Sequence, residues 1–229
     1  MNKPLADTKI LALIPAFNET CSIASVVEGA RRYLSVLVID DGSSDTTAEC
    51  ARQAGAEVLL QRPNQGKGAA LRAGFRRALE DGYEAVLTLD ADGQHDPQEI
   101  PTFLAAGRLK PFGLIIGARD FSRMPFVRRL ANSLGRACLS LALGQPVRDN
   151  QSGYRLIAKP VMQAMLNSSE QGFEFEVEMV AVCLRLGCLL DWVPIQTIYQ
   201  GEKSHIQPWQ HVKNFLRVAW KVRQNGKIN

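Results

Sequence analysis

Two carboxylates separated by one residue stand just beyond an apolar run, and this spacing is the clearest chemical signal in the chain. Residues 85–89 are apolar apart from one threonine, and Asp90 and Asp92 follow directly. In an extended backbone, side chains two positions apart point to the same side, so both carboxylates can converge beyond a strand. Gly93 lets the chain turn, and the amide oxygen of Gln94 can join them. Such oxygen ligands suit Mg²⁺ or Mn²⁺, which would hold a nucleotide diphosphate.

The nearest alternative for this loop is an EF-hand calcium site, which also begins with D-x-D. That site requires glycine at position 6 and glutamate at position 12, where this chain has His95 and Pro101. We therefore exclude an EF-hand. Asp96, followed by Pro97 and then Glu99, predicts a helix N-cap, a proline at the first helical position and a capping-box glutamate. Asp96 is therefore assigned to structure and not to the metal.

The composition is that of one globular domain. The 229 residues are 46% hydrophobic, which is ample for a core, and the formal net charge of +4 is too small to indicate nucleic acid. Five cysteines without a C-x-x-C pair indicate reduced thiols rather than disulfides or a zinc site. Residues 1–9 lack the apolar core of a signal peptide, and no run of about 18 apolar residues occurs. We expect a cytoplasmic protein, soluble or at most peripheral on the cytoplasmic face of a membrane.

Apolar runs alternate with helical patterns through the first half of the chain. The predicted strands are residues 10–15, 36–39, 57–60, 85–89 and 114–117, with helices after the first three and between the last two. This alternation predicts an α/β fold with an open, mainly parallel sheet and helices on both faces. Ligands of such sheets bind at the carboxyl ends of the strands. The polar residues that follow four of these strands are Asn18 and Glu19, Asp40 and Asp41, Asp90 and Asp92, and Arg119.

The second half of the chain changes character. Residues 124–143 form a long helical pattern, and a polar stretch, residues 149–155, leads into a short strand. Residues 172–187 predict a largely buried helix, and residues 189–199 a strand with its connector. No repeat, low-complexity tract or linker interrupts the pattern, so we expect a single domain over residues 1–229.

The C-terminal tail, residues 206–229, predicts a basic amphipathic helix. Apolar residues at 209, 212, 216, 219 and 220 are close to helical spacing, and Lys213, Arg217 and Lys221 recur on another face. Two tryptophans beside a basic stripe suit a helix that lies in a membrane interface. The alternative is a terminal helix packed on the core with its lysines in water.

Several short motifs occur in a fixed order along the chain: residues 14–19 (IPAFNE), 38–45 (VIDDGSSD), 64–68 (NQGKG), 90–92 (DAD), 117–119 (GAR) and 151–155 (QSGYR). As a set they resemble the inverting family 2 glycosyltransferases of the GT-A fold, over roughly residues 8–205. The motifs at 64–68, 117–119 and 151–155 are similar to the dolichol- or polyprenol-phosphate mannosyl- and glucosyltransferase branch. The resemblance implies a metal-dependent transfer of a hexose from GDP-mannose or a UDP-hexose to an isoprenoid (dolichyl or undecaprenyl) phosphate.

The resemblance also implies roles for individual residues. On the nucleotide-sugar side it points to Pro15, Phe17 and Glu19 in the nucleoside pocket, to Asp40 and Asp41 at the base and ribose, and to Lys67, Asp90 and Lys203 beside the nucleotide. The metal ligands would be Asp90, Asp92 and Gln94. Arg119 and Arg136 would bind the acceptor phosphate, since guanidinium groups suit phosphate geometry. The glycines on either side of Lys67 would let backbone N–H groups approach a phosphate at a helix start.

The nature of the acceptor decides which further group is needed. A lipid phosphate is already ionised near neutral pH and attacks without a strong base, whereas a hydroxyl acceptor needs a base, for which Asp149 is the candidate. With Asp92 and Arg119 it completes the catalytic set. The alternative for Asp149 is a carboxylate that only pairs with Arg148 or Arg155.

Three other functions stay open as alternatives. One is a glycosyltransferase that acts on a glycan or another hydroxyl. A second is a catalytically silent subunit that binds nucleotide sugars, against which the intact set of Asp90, Asp92, Gln94 and Arg119 argues. The third, a sugar nucleotidyltransferase, is disfavoured because residues 15–19 (PAFNE) are not a glycine-rich triphosphate loop.

Overall fold

A seven-stranded sheet forms the centre of the computed structural model, in the order β3-β2-β1-β4-β6-β5-β7. The structure describes residues 8–109, 111–119, 140, 144, 146–149, 152–172 and 174–196. The strands are β1 (Ile10–Ala16), β2 (Ser35–Asp40), β3 (Glu57–Leu60), β4 (Ala85–Thr88), β5 (Leu114–Arg119), β6 (Arg155–Ala158) and β7 (Leu190–Ile195). The helices are α1 (Ile23–Arg31), α2 (Thr47–Gln53), α3 (Lys67–Glu80), α4 (Ile100–Leu109), α5 (Lys159–Met165) and α6 (Glu174–Arg185).

The sheet is mainly parallel, as the alternation of elements predicted. β1 pairs in parallel with β2 and β4, β2 with β3, and β5 with β7. The antiparallel strand is β6, which inserts between β4 and β5. Its insertion brings the segment before β6, residues 152–154, beside the end of β4, where Thr88 is paired with Arg155.

Apolar residues cover both faces of the sheet, which explains the continuous apolar runs of its strands. Along β1, Ala12 and Ile14 belong to a core cluster that contains residues of α1, α2 and α4. Leu11 and Leu13 point to the opposite face, into a second cluster with α3, α5 and α6. The predicted helical layers on both faces are therefore confirmed.

The carboxyl ends of four parallel strands lie along one edge of the sheet. The register pairs Ala16 at the end of β1 with Asp40 at the end of β2, and β4 and β5 run in the same direction. The polar residues at the ends of these strands are thereby gathered at one edge.

Some predictions concern residues that the structure does not describe: the helix over 124–143, Arg136, Lys203 and the tail 206–229. Within the part that the structure describes, no helix has the length and apolarity needed to cross a membrane.

Candidate active site

The loop after β4 is held in place by a buried histidine. The backbone N–H of Asp90 donates to Nδ1 of His95 at 3.0 Å, so the neutral ring carries its proton on Nε2. His95 is 4% exposed and stacks on Tyr154, with ring centroids 5.0 Å apart. Burial lowers the pKa of His95 by more than the charge of Asp90 raises it. The net lowering favours the neutral ring. In the sequence His95 stands out only as a position of the excluded EF-hand, and this role was not predicted.

Lys67 lies between two carboxylates. Its Nζ is 2.6 Å from Oδ1 of Asp90 and 3.0 Å from Oε1 of Glu176. Burial lowers the pKa of Lys67, but the two carboxylates outweigh burial and the net pKa is raised. Burial likewise raises the pKa of Asp90, yet the charge of Lys67 overcomes it and holds that pKa at about 2. Contact between Lys67 and a nucleotide stays a prediction. Glu176 was missed, although a glutamate within a largely apolar helix was a visible signal.

The glycines on either side of Lys67 serve a different purpose from the one expected. Gly68 donates its N–H to the carbonyl of Gln171 at 2.7 Å, and a Cβ on Gly68 would lie 2.8 Å from the carbonyl oxygen of Glu170. Gly66 has a φ of +91°, and a Cβ there would lie 2.7 Å from the carbonyl oxygen of Gln171. Both glycines accommodate the segment that precedes α6. The expectation that the Gly68 N–H approaches a phosphate is therefore wrong.

Asp40 is the last residue of β2 and Asp41 follows it, and both are buried. The carboxylate of Asp41 accepts hydrogen bonds from the backbone N–H groups of Gln65 at 2.9 Å and Gly66 at 2.7 Å, and from Nε2 of Gln61 at 2.9 Å. Oδ1 of Asp40 accepts from the N–H of Ser43 at 3.3 Å. Asp41 thus shapes the segment 61–66, and its predicted contact with the nucleoside stays a prediction.

The loop after β1 is fastened to the loop after β2. Asn18, at a φ of +56°, accepts from the N–H of Ser44 at 2.8 Å through its Oδ1 and donates its own N–H to Oγ of Ser43 at 2.9 Å. The carboxylate of Glu19 accepts from Oγ of Ser22 at 3.1 Å, next to the start of α1. Phe17 is 48% exposed on this edge.

The segment after the carboxylate loop follows the prediction at Asp96 and departs from it at Glu99. Asp96 caps a short 3₁₀ helix, Pro97–Glu99, by accepting from the N–H of Gln98 at 2.9 Å, which confirms its structural role. Oε1 of Glu99 accepts from the N–H of Gln196 at 2.7 Å, beyond β7. The capping-box role of Glu99 is therefore wrong, because Gln196, which directly follows the edge strand β7, offers a donor that the local sequence does not reveal.

Arg119, at the end of β5, forms a two-point ion pair with Asp149. Its Nε donates to Oδ2 at 2.7 Å and its Nη2 to Oδ1 at 3.0 Å. The backbone N–H groups of Arg119 and Ser152 also donate to this carboxylate, at 3.3 and 3.2 Å. The side chain of Asp149 is 1% exposed and that of Arg119 is 17% exposed. A carboxylate occupied in this way suits an anchor for Arg119 better than a general base.

Asp92 and Gln94 supply the chemistry that a divalent cation requires. Oδ1 of Asp92 accepts from the N–H of Gln94 at 2.9 Å. Burial, followed by the neighbouring charge of Asp90, raises the pKa of Asp92, and a cation would relieve that repulsion. Among the described residues, no group of three or more Asp, Glu, His or Cys side chains is suited to a metal. The donors therefore fit a cation that shares its ligands with a diphosphate, as Mg²⁺ commonly does.

Comparisons with known proteins identify the family of the chain. The family model "Glycosyl transferase family 2" matches residues 12–164. The undecaprenyl-phosphate mannosyltransferase of Micrococcus luteus is 33% identical over 202 residues, covering 82% of both chains. The UDP-N-acetylglucosamine–dolichyl-phosphate N-acetylglucosaminyltransferase of Methanococcus voltae is 29% identical over 224 residues, covering 85% of this chain and 88% of the relative.

Solved structures extend the likeness to the fold. Glucosyl-3-phosphoglycerate synthase from Mycobacterium tuberculosis, in complex with UDP, matches with a TM-score of 0.74 at 21% identity, over 94% of this chain and 81% of that one. A further crystal structure of that synthase with Mn²⁺, UDP and phosphoglyceric acid matches with a TM-score of 0.75 at 20% identity, over 93% and 79%. The GT-A type of sheet is thereby confirmed, and the chain belongs to glycosyl transferase family 2.

Proposed function

We propose that this protein transfers a hexose, with inversion, from a nucleotide diphosphate sugar to an isoprenoid lipid phosphate. Family membership supports glycosyl transfer. Relatives that are named for transfer to undecaprenyl phosphate and to dolichyl phosphate support the class of acceptor. GDP-mannose and a UDP-hexose are the candidate donors.

The observation that carries the choice of acceptor is the pairing of Asp149 with Arg119. A hydroxyl acceptor needs a general base, and Asp149 is the candidate for it. Its carboxylate instead receives two guanidinium N–H groups of Arg119 and the backbone N–H of Ser152. A phosphate monoester is largely ionised near neutral pH and can attack without such a base. This arrangement supports a phosphate acceptor over a glycan.

Arg119 is the group that we assign to the acceptor phosphate. It stands at the carboxyl end of β5, on the same edge as Asp90 and Asp92, and Asp149 fixes the plane of its guanidinium. A guanidinium held in one orientation can bind phosphate oxygens with little further loss of side-chain entropy. Arg136 is proposed as the second arginine of this subsite.

On the donor side, exposed and charged groups line the ends of β1, β2 and β4. The exposed ring of Phe17 suits contact with a nucleobase, with Pro15 and Glu19 in the same loop. Asp40 ends the neighbouring strand β2 and Asp41 follows it. Lys67, at the start of α3, contacts Asp90 just beyond β4. Lys203 is proposed to cover the diphosphate.

Asp92 and Gln94 would hold the metal, Mg²⁺ or Mn²⁺, with Asp90 beside them. When bound, the cation would neutralise charge that develops on the leaving diphosphate. Crystal structures of the mycobacterial glucosyl-3-phosphoglycerate synthase contain UDP with Mn²⁺ or with Mg²⁺, but that likeness is one of fold. Metal dependence is therefore part of this proposal.

A transfer screen tests the proposal. Purified protein would be mixed with UDP-glucose, UDP-N-acetylglucosamine or GDP-mannose, with either undecaprenyl phosphate or undecaprenol, in Mg²⁺, Mn²⁺ or excess chelator. We expect a glycolipid with one donor, only with the phosphate and only with metal. Equal transfer to undecaprenol would contradict the assignment of a phosphate acceptor, and full activity in chelator would contradict the metal role.

We also propose that the protein works at the cytoplasmic face of a membrane, through the basic amphipathic tail 206–229. A basic face attracts anionic lipid by about 1 kcal/mol per cation near the surface. We expect sedimentation with anionic vesicles at low salt and release at high salt. Truncation after Gln207 should abolish sedimentation and spare nucleotide binding. A truncated protein that is unfolded would instead assign the tail to the core.

A further inference from the structure

Asp90, which the proposed function places in the donor site, is restrained on several sides. Lys67 contacts Oδ1, and His95 accepts its backbone N–H. A Cβ on Gly153 would lie 2.5 Å from Oδ1 and 2.7 Å from Oδ2, so the carboxylate rests against the main chain of Gly153. Thr88 fixes that main chain by donating to the Gly153 carbonyl at 2.6 Å. The direction of the Asp90 carboxylate is therefore set by the protein before any ligand arrives.

Glu176 is the unusual member of this arrangement. It lies in the first turn of α6 between Phe175 and Val177, and its side chain is 3% exposed. Oε1 contacts Lys67 at 3.0 Å, whereas Oε2 is buried without a hydrogen-bond partner among the residues described. A buried acceptor that receives no hydrogen bond destabilises a fold. Core packing alone therefore does not account for a glutamate here, and its contact with Lys67 does.

The position of Glu176 is itself fixed from the other side of the site. Its backbone carbonyl accepts from Nη1 of Arg155, a fully buried residue whose Nε donates to the carbonyl of Ser152 at 2.8 Å. Ser152 directly precedes Gly153, against which Asp90 rests. One closed set of contacts thus joins α6, the segment before β6, the loop after β4 and the start of α3.

We infer that Glu176 is a positioning residue of the donor site, which acts through Lys67 to hold the Asp90 carboxylate beside Asp92. A lysine has a flexible four-carbon stem, and with one carboxylate partner its ammonium would follow that partner's movements. A second carboxylate, on a different element, restrains the ammonium and through it Asp90. Glu176 also adds one negative charge beneath the loop that would hold the cation.

Nucleotide binding in a double-mutant cycle tests this inference, which rests on the proposed function. UDP and GDP would each be titrated with Mn²⁺ into the wild type, Glu176→Gln, Lys67→Met and the double variant. We expect each single variant to bind the wild type's preferred nucleotide on the order of tenfold more weakly. Because Glu176 acts through Lys67, the double variant should bind no more weakly than Lys67→Met alone.

Glu178→Gln is the matched control, because Glu178 lies on the same helix and its carboxylate accepts from Ser168 instead. It should bind nucleotide as the wild type does. In transfer assays, Glu176→Gln should raise the KM for the donor and leave the KM for lipid phosphate unchanged, a split that general loosening of the fold would not produce. Glu176→Asp keeps the negative charge and should therefore bind nucleotide more tightly than Glu176→Gln, though more weakly than the wild type.

Two results would overturn the inference: unchanged nucleotide binding by a folded Glu176→Gln, or losses that add in the double variant. If Glu176→Gln fails to fold, Lys67→Met tests the inference instead. Full nucleotide binding by Lys67→Met would refute the proposal that Glu176 acts on the donor site through Lys67. A wild type that binds neither nucleotide with Mn²⁺ would refute the proposed function itself, and the inference with it.

Discussion

The replacement Asp149→Asn separates an anchoring role of this residue from a role as general base. Asparagine keeps the shape and one acceptor oxygen but removes the charge that faces Nε and Nη2 of Arg119. If Asp149 orients Arg119, the variant should lose stability together with affinity for the lipid phosphate. If Asp149 takes a proton, it should lose turnover and keep its stability.

The structure sets the size of the expected loss of stability. Removing one partner of a buried ion pair costs about 3–5 kcal/mol, because the other charge is left uncompensated. The Arg119 side chain keeps 17% of its exposure, so water moderates that loss. Since asparagine also retains an acceptor, we expect the free energy of unfolding to fall by about 2–3 kcal/mol. At roughly 2–4 °C per kcal/mol for a chain of this size, the melting temperature should fall by about 4–12 °C.

Asp81→Asn provides a matched control on the surface. Asp81 accepts from Nε of Arg77 at 2.8 Å, almost the same distance as in the Asp149 pair, but both side chains are more than a third exposed. Exposed pairs contribute little to stability because water screens them, so this variant should melt nearly as the wild type does. The comparison isolates the effect of burial from the effect of removing an aspartate.

Chemical denaturation, a pH–rate profile and the KM for undecaprenyl phosphate complete the assay. We expect Asp149→Asn to raise that KM and to keep the wild-type shape of the pH–rate profile. The reasoning is refuted if the variant is as stable as Asp81→Asn while kcat falls by about 10²–10⁴ and the acid limb of the profile disappears. That outcome would identify Asp149 as the base and favour a hydroxyl acceptor.

Three further variants test the loop after β4 and its surroundings. Asp92→Asn should abolish transfer without lowering the melting temperature, because the charge that it removes is repelled by Asp90. A marked drop in melting temperature would show instead that Asp92 stabilises the fold. Gly153→Ala should weaken binding of UDP or GDP, since its Cβ would lie 2.5 Å from Oδ1 of Asp90; unchanged titrations would refute the restraint. Gly68→Ala should lower the free energy of unfolding by about 1–3 kcal/mol, because its Cβ would meet the Glu170 carbonyl and Phe175. Denaturant titration measures this change, and an unchanged midpoint would show that the site tolerates a Cβ.

The parts of the fold that depend on local pattern were predictable. A strand buried on both faces is apolar along its interior, as β1, residues 36–39 of β2 and residues 85–87 of β4 show in the sequence and in the structure. Parallel strands bring their carboxyl ends to one edge, so the placement of Asp40, Asp90 and Arg119 followed from the common direction of the strands. The first residue of α1 did not follow from local pattern: the helix begins only at Ile23, because Asn18 and Glu19 are tied to Ser43 and Thr47 beyond β2.

Contacts between distant segments were not predictable in the same way. β6 is four residues long, and nothing in those residues indicates that it runs antiparallel between β4 and β5. That insertion places Gly153 against Asp90 and allows Arg155 to be buried. The glycines around Lys67 looked like a phosphate loop because glycine permits any close approach of the backbone, whether of a ligand or of another segment.

The charged residues of the site differ in whether they already form ion pairs with oppositely charged side chains of the protein. Lys67, expected beside the nucleotide, and Arg119, expected at the acceptor phosphate, are each held by carboxylates of the chain, so part of their desolvation cost is met on folding. For Asp92, the structure shows a hydrogen bond from its own loop and a pKa raised by burial and by Asp90. Cations that are already oriented can bind an anionic ligand with little rearrangement, whereas a carboxylate under repulsion gains most from a new positive charge. The arrangement therefore favours a donor that arrives as a complex of nucleotide and divalent cation, with Asp92 as the residue most sensitive to its charge.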